Sequence, residues 1–285
     1  MLAAQRQAGI ASVLRDAGAV SVSELASRFE VSEMTIRRDL DSLVAEGAIA
    51  KVHGGAISLD ADSAHARRTE EPGFPAKSSQ MRAEKRGIAA AAAALIQPGM
   101  SIGLSAGTTT WALAQQLLGI PDLTIVTNST RIADIFQDAS RTGSEGRRET
   151  GTGRARASDQ TVILTGGVRT PSDALVGPIA NRTLQPLHLD LVCFGAHGVS
   201  VDAGFTTPNL EECETNRALL KTAASALVLA DHSKWNTTAL GTFAELAGVD
   251  TLITDTGLAE RAADDLRERL DRLILADPIH ARRTP

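Results

Sequence analysis

Two serines, Ser21 and Ser32, each stand just before a stretch whose apolar residues recur with helical period. Only Glu30 and Val31 separate the end of the first stretch from the second serine, so the two helices must pack around a tight turn. Ser21-Val22-Ser23-Glu24 has the form of a capping box, in which Ser21 accepts from a first-turn N–H and Glu24 reaches back to the Ser21 N–H. Val20 and Leu25 are spaced for the accompanying hydrophobic staple, and Leu25, Ala26 and Phe29 give the first helix its buried side. Ser32 opens a second helix predicted from Glu33 to about Ala45. An earlier helix is predicted over residues 4–16, with Ile10, Val13 and Leu14 on one face.

Behind these helices, Ala48 to His53 alternates and meets Gly54-Gly55, then Ala56-Ile57-Ser58-Leu59 follows, which predicts a β-hairpin. Residues 1–59 thus read as a winged helix-turn-helix domain, and the polar, proline-containing residues 60–78 as a linker. On the helix from Glu33, Ile36, Leu40, Leu43 and Val44 share one side, while Met34, Arg38 and Ser42 lie opposite, flanked by Thr35 and Arg37. An Arg-Arg pair with Asp39 and Asp41 nearby is ordinarily a solvated face. At the front of the second helix, with a hairpin behind it, the pair is placed to enter a major groove, where one arginine can bond guanine bidentately. The other arginine, Ser32, Thr35, and the hairpin's Lys51 and His53 are candidates for phosphate contacts. Bulk charge gives no support: the net charge is −5, and residues 1–58 hold six Lys/Arg against seven Asp/Glu. The case rests on where the charges lie.

From about Ser79 the texture changes, and a domain is predicted over residues 79–276, with 277–285 as a tail. An alanine-rich helix (81–96) stops at Pro98-Gly99. Six β-like runs then alternate with helical ones: Met100–Leu104, Leu123–Thr127, Val162–Thr165, Asp190–Gly195, Ala226–Ala230 and Thr251–Thr254. That rhythm predicts an α/β domain, its mostly parallel sheet covered on both faces. Residues 140–158, almost without apolar side chains, interrupt it as a disordered insertion. Polar and glycine residues recur where the strands end: Ser105-Ala106-Gly107-Thr108-Thr109-Thr110, Thr127-Asn128-Ser129, Gly166-Gly167, Gly195-Ala196-His197-Gly198 and Asp231-His232-Ser233-Lys234. In open α/β sheets ligands bind beyond those ends, and threonines at a helix N-terminus suit a phosphate. The apolar run Ile88–Ile96 is too short to span a bilayer, the N-terminus lacks a signal peptide's apolar core, and Cys193 and Cys213 have no metal-like spacing. A cytoplasmic protein without cofactor, metal or membrane partner is expected.

Val31-Ser32-Glu33-Met34-Thr35-Ile36-Arg37-Arg38-Asp39-Leu40 through Val52-His53-Gly54-Gly55-Ala56 resembles the signature of DeoR-family transcriptional regulators, without a gap. The strand-end motifs resemble the family's sensor domain, which is similar in fold to ribose-5-phosphate isomerase. The resemblance implies a repressor that binds a double-stranded DNA operator as a homo-oligomer, dimer or tetramer, and leaves it on binding a phosphorylated sugar. It further implies that Thr108 and Thr109 bind phosphate, with Asn128, Glu212 and Lys234 around the sugar, and Ser105, Gly107, Gly167 and His197 completing the site. The family usually has Asp where this chain has Ser105. Where the isomerase has an acidic loop, this chain has Phe194, His197 and Gly198, so the paired carboxylates are missing and no catalytic residue is assigned. Three other readings stay open: an active sugar-phosphate isomerase, a winged-helix sensor of dinucleotides, and an activator in place of a repressor. The second would want a Gly-x-Gly-x-x-Gly turn, which Ser105-Ala106-Gly107-Thr108 does not supply.

Overall fold

The computed structural model describes residues 3–17, 19–45, 49–52, 54–58, 73–145 and 160–280. The chain opens with α1 (Ala3–Ala17), β1 (Ala19–Ser21), α2 (Val22–Phe29) and α3 (Glu33–Ala45), followed by the hairpin strands β2 (Ile49–Val52) and β3 (Gly55–Ser58). Ser21 Oγ accepts the Glu24 N–H at 3.1 Å and starts α2, and Ser32 Oγ accepts the Thr35 N–H at 3.3 Å at the start of α3. Glu30 turns the chain between them with a left-handed backbone (φ 53°), which a single non-glycine residue tolerates at a helix end. Ile10, Leu14, Leu25, Ile36 and Leu40 are fully buried together in the small core these elements enclose. Val44 departs from expectation: it is 39% exposed, because the last turn of α3 overhangs that core. Val20, buried in the same core as Leu25, also belongs to a strand, pairing with Ala56 in a three-stranded sheet ordered β1-β3-β2. Asp39, read as a counter-charge to the Arg37-Arg38 pair, points inward and holds Arg6 Nε at 2.6 Å, tying α1 to α3.

The second part of the chain starts within the expected linker, at α4 (Phe74–Ser79), so residues 74–78 of that linker are helical. There follow α5 (Arg82–Ala93), β4 (Ser101–Leu104), α6 (Thr108–Leu117), β5 (Thr124–Thr127), α7 (Thr130–Glu145) and β6 (Thr161–Leu164). A short hairpin, β7 (Val168–Arg169) and β8 (Leu175–Val176), leads to α8 (Pro178–Leu184), β9 (Leu191–Gly195), β10 (Gly198–Ser200), β11 (Gly204–Thr207) and α9 (Leu210–Leu220). The chain ends with β12 (Ala226–Leu229), β13 (Gly241–Ala244), β14 (Thr251–Asp255), α10 (Glu260–Arg267) and β15 (Arg272–Ala276). Helix α7 runs to Glu145, so residues 140–145 of the expected insertion are helical, and the rest of it lies outside the described residues.

Seven strands form one parallel sheet in the order β15-β14-β12-β9-β4-β5-β6. Alternation along the inner strands feeds two cores. Leu191 and Cys193 of β9 face Leu113, Ile132 and Phe136 of the α5–α7 layer, while Val192 and Phe194 face Leu219 and Leu266 on the other side. All six strands expected from the sequence belong to this sheet. The seventh, β15, was not expected, nor was the antiparallel annex β10-β11-β13. From β4 the chain moves outward through β5 to β6, then returns to β9 on β4's other flank. The carboxyl ends of β4 and β9 therefore straddle the point where the winding reverses, the place where such sheets open a crevice.

Candidate anion pocket and nucleic-acid interface

A cavity of about 120 Å³ lies at that crevice. Gly107, Thr108 and Thr109 reach it from the start of α6, Gly195, Ala196 and His197 from the end of β9, Lys234 from the turn after β12, and Glu212 from α9. No side chain caps the α6 N-terminus, so its first-turn N–H groups and the positive end of its dipole are directed at an incoming anion. Lys234 is set by a 3₁₀ turn, His232–Lys234, whose cap is Asp231 Oδ1 accepting the Ser233 N–H at 3.2 Å. His232 is in turn held by the buried Asp255, Nδ1 to Oδ1 at 2.6 Å. Glu212 accepts hydrogen bonds from Thr170 Oγ1 at 2.7 Å and from Ser172 Oγ.

Two further lysines border the cavity that sequence reasoning missed, Lys77 on α4 and Lys85 on α5. Lys85 is 6% exposed, and its Nζ donates to the carbonyls of Lys77 at 2.7 Å and Gln80 at 2.9 Å. Burial pulls its ammonium down to about 8, opposed by the nearby Asp231 carboxylate, which leaves it charged at neutral pH. A lysine on the inward side of an otherwise alanine-rich helix was the available signal. The same α4 is anchored by Phe74, edge-on to Trp111 at 5.8 Å, with the Arg131 guanidinium 4.3 Å above its ring. Three ammonium groups and a helix N-terminus thus surround a cavity with one carboxylate on its wall.

Three expected site residues do not line it. Ser105 is buried and accepts the Gly195 N–H at 3.1 Å, fastening the β4 and β9 loops together. Asn128 is buried, accepting the Ala106 N–H at 2.8 Å and donating to the Leu175 carbonyl at 3.2 Å, so both ends of its amide are used. Gly167 packs against the Val176 backbone beside the β7–β8 hairpin. These residues shape the rim from behind. Among the described residues no group of three or more His, Cys, Asp or Glu could hold a metal ion. Both cysteines are free, and burial raises the thiols to about 12 at Cys193 and about 11 at Cys213.

On the outer side of α3, Met34 is 70% exposed and Arg38 is exposed beside it. Arg37 is also exposed and lies 3.5 Å from Glu33, an i,i+4 pair worth a few tenths of a kcal/mol, so it is readily released. Ser32 and Thr35 share a hydroxyl contact at 2.9 Å, and exposed Lys51 pairs with Asp41 at 2.5 Å. His53 lies outside the described residues. Ser32, Met34, Arg38 and Lys51 are exposed, and Arg37, also exposed, borders the cavity between α3 and the second domain.

The first domain and the pocket are joined through α9. Ser21 and Ser23 donate to the two oxygens of Glu214, and the wing turn rests on the first turn of that helix. Gly54 has φ +80°, and a Cβ there would lie 2.3 Å from Glu211 Cγ, so both conformation and space require glycine. Glu211 is 6% exposed, and neither of its carboxylate oxygens has a hydrogen-bond partner among the described residues. Burial, then the neighbouring Glu214 and Glu33, raise its carboxyl from 4.5 to about 7, with Arg37 acting against them. The folded protein therefore keeps a proton that the unfolded chain gives up. Stability is unaffected below pH 4.5, falls as pH rises towards 7, and levels off above it. Glu211→Gln is expected to leave the melting temperature unchanged at pH 4 and to raise it at pH 8, by the equivalent of about 2–3 kcal/mol. Equal melting profiles for both proteins from pH 4 to pH 8 would contradict the burial of a carboxyl at this seam.

Sequence comparison agrees with both halves of this geometry. The sequence model of the DeoR-like helix-turn-helix domain matches residues 6–62, and that of the DeoR C terminal sensor domain matches residues 80–146 and 153–256. The putative aga operon transcriptional repressor of Escherichia coli O157:H7 is 30% identical over 242 residues, 85% of this chain and 82% of that protein. The HTH-type transcriptional regulator GlpR of Haloferax volcanii is 30% identical, covering 93% of this chain and 95% of its own length. The transcriptional repressor AccR of Agrobacterium fabrum is 29% identical, with the same two coverages. Among solved structures, a D-ribose-5-phosphate isomerase in complex with phospho-erythronic acid overlaps 55% of this chain and 54% of its own, at 17% identity and a TM-score of 0.36.

Proposed function

The chain belongs to the DeoR family of transcriptional regulators, and on that premise we propose that it represses carbohydrate-metabolism genes and leaves its operator when a phosphorylated sugar fills the pocket. The observation that carries this reading is the convergence of Lys77, Lys85, Lys234 and the α6 N-terminus on one small cavity. A dianionic phosphate there gains charge-assisted hydrogen bonds, roughly twice as strong as neutral ones. Glu212, the carboxylate on the same wall, is suited to accept from sugar hydroxyls. Ligand pockets for drug-sized molecules run from about 300 Å³ upwards, so about 120 Å³ favours a small sugar phosphate over a dinucleotide. The site holds; it does not convert. An isomerase needs a base poised to move a proton between carbons, and the acidic loop that would supply paired carboxylates is replaced here by Phe194, His197 and Gly198. Paired operator half-sites would call for a homo-oligomer, dimer or tetramer.

A thermal-shift panel of inorganic phosphate and aldose and ketose phosphates, ribose 5-phosphate included, tests the reading. A ligand of the folded state raises the melting temperature by mass action, by about 2.7 kcal/mol at a hundred times its Kd. The compound with the largest shift is expected to release the protein from a duplex it selects out of a random-sequence pool, and to be recovered unchanged. Absence of any shift across the panel, or steady interconversion of the sugar, would refute the proposal.

A further inference from the structure

We propose that Glu212 and the turn between β7 and β8 form a latch that fixes the DNA-binding domain on α9, and that a ligand engaging Glu212 opens it. The proposal deepens the effector reading above and rests on it. Adjacent residues of α9 face two different cavities: Glu212 borders the anion pocket, and Glu211 borders a second cavity of about 180 Å³ at the seam with the DNA-binding domain. The β7–β8 turn spans the same two spaces, with Thr170 on the seam wall and Ser172 on the pocket wall. Both of those hydroxyls donate to one oxygen, Glu212 Oε1. A single carboxylate oxygen therefore holds a turn whose two sides belong to the two sites. Asp173, next in the same turn, is held by Arg131 of α7 and by Arg169 at 2.6 Å, so the far end of the turn is anchored to the sheet domain.

Among the described residues, contacts from α9 hold the DNA-binding domain across the seam. Ser21 and Ser23 share Glu214, Gly54 seats on Glu211, and a Cβ on Gly55 would come within 2.5 Å of Leu210 Cδ1. Arg37 borders the seam cavity beside Glu33 and Gly54, while Met34 and Arg38 stay exposed in the docked arrangement. Docking therefore fixes the orientation of the recognition helix while leaving it open to a groove, which is what a spaced pair of half-sites requires. A sugar hydroxyl donating to Glu212 takes the place of the Thr170 or Ser172 hydroxyl. That exchange of like hydrogen bonds costs little in itself, so a modest difference in ligand affinity between the two arrangements moves the equilibrium.

The test needs no ligand. Hydrogen exchange and affinity for the selected duplex are measured on the full-length protein and on Glu212→Ala, Thr170→Val, Glu214→Ala and Glu214→Gln. Glu214→Ala is expected to speed exchange in α2 and β3 and to weaken duplex binding about tenfold, within the usual range of coupling between sites. Glu214→Gln, which keeps an acceptor oxygen, should recover most of that loss. Glu212→Ala and Thr170→Val, which touch neither α2 nor the wing, should produce the same pattern, with exchange in β9 and β12 unchanged. Where Glu212→Ala also loosens β9, the milder Thr170→Val decides. Unaltered wing exchange and DNA affinity in the Thr170 variant would overturn the latch, and tighter duplex binding by Glu214→Ala would overturn the sign of the docking. Failure of every sugar phosphate to bind would remove the effector reading and leave these results standing, since no ligand enters them.

Discussion

Replacing both Arg37 and Arg38 with alanine is expected to abolish specific operator binding, a loss of roughly a hundredfold or more. One bidentate base contact is worth about 1–3 kcal/mol, and each lost phosphate contact lowers the slope of log K against log salt by about one. The two side chains are exposed, and among the described residues their ion pair, Arg37 with Glu33, is of the weak surface kind. Removing Arg38 should leave folding nearly untouched, within about 0.5 kcal/mol. Loss of Arg37 also takes a compensating charge from the buried Glu211, so the melting curve of each single variant is the control. Ile36 and Leu40, which hold α3 in place, are on the opposite face. Fluorescence anisotropy on the selected duplex at several salt concentrations, with a melting curve on each protein, separates the two effects. Wild-type affinity and slope in the double variant would mean that some other surface meets the DNA.

The second large effect is expected at the pocket. Thr108→Val with Thr109→Val, or Lys234→Ala alone, should give a repressor that binds DNA normally and ignores the sugar phosphate. Hydrogen bonds to charged groups contribute about 1.5–3 kcal/mol each, so effector affinity should fall at least tenfold for each one removed. Valine keeps the volume of the half-buried Thr108 and the buried Thr109. Thr110 is left alone because its hydroxyl bonds the Gly107 carbonyl at 3.1 Å and shapes the loop. Lys85 is equally unsuitable, since its loss would free the two carbonyls that it holds. Linkage fixes the companion result: a compound that weakens DNA binding tenfold must itself bind tenfold more weakly to the DNA-bound protein. Gel shifts with and without the compound decide. Release at the wild-type concentration would mean the phosphate sits elsewhere, and loss of DNA binding would assign these residues to folding.

What the sequence disclosed, and what it withheld, follows from the range of the interactions concerned. Ser21, Ser32 and the Arg37-Arg38 pair were legible because caps and helical faces are written within a few residues. The six expected strands were legible because buried parallel strands read as short apolar runs. Strand β15 opens at Arg272, directly after the charged Arg267–Asp271 stretch, so its apolar run stood out less. Ser105 and Asn128 misled for a different reason. Polar residues at strand ends look alike in sequence whether they face the cavity or fasten the loop behind it. Only the partners, the Gly195 N–H for one and Ala106 and Leu175 for the other, tell them apart. The seam was invisible, because Ser21 and Glu214 are 193 residues apart. The Gly54-Gly55 pair, rightly taken as a turn, carries the further demand that α9 approach it.

Helix α4 bears on how such regulators exchange parts. It comes before the alanine-rich helix at which the second domain was expected to begin, yet Phe74 and Lys77 are part of the pocket wall, and Lys85 donates to the carbonyls of residues 77 and 80. The unit that encloses the pocket therefore starts no later than Gly73. A recombination junction placed at residue 79 would transplant a pocket missing one side, with a buried ammonium stripped of its acceptors. A junction upstream of Gly73 moves the pocket whole, so a chimera that joins this α/β domain to another DNA-binding domain should carry this helix along with the sheet.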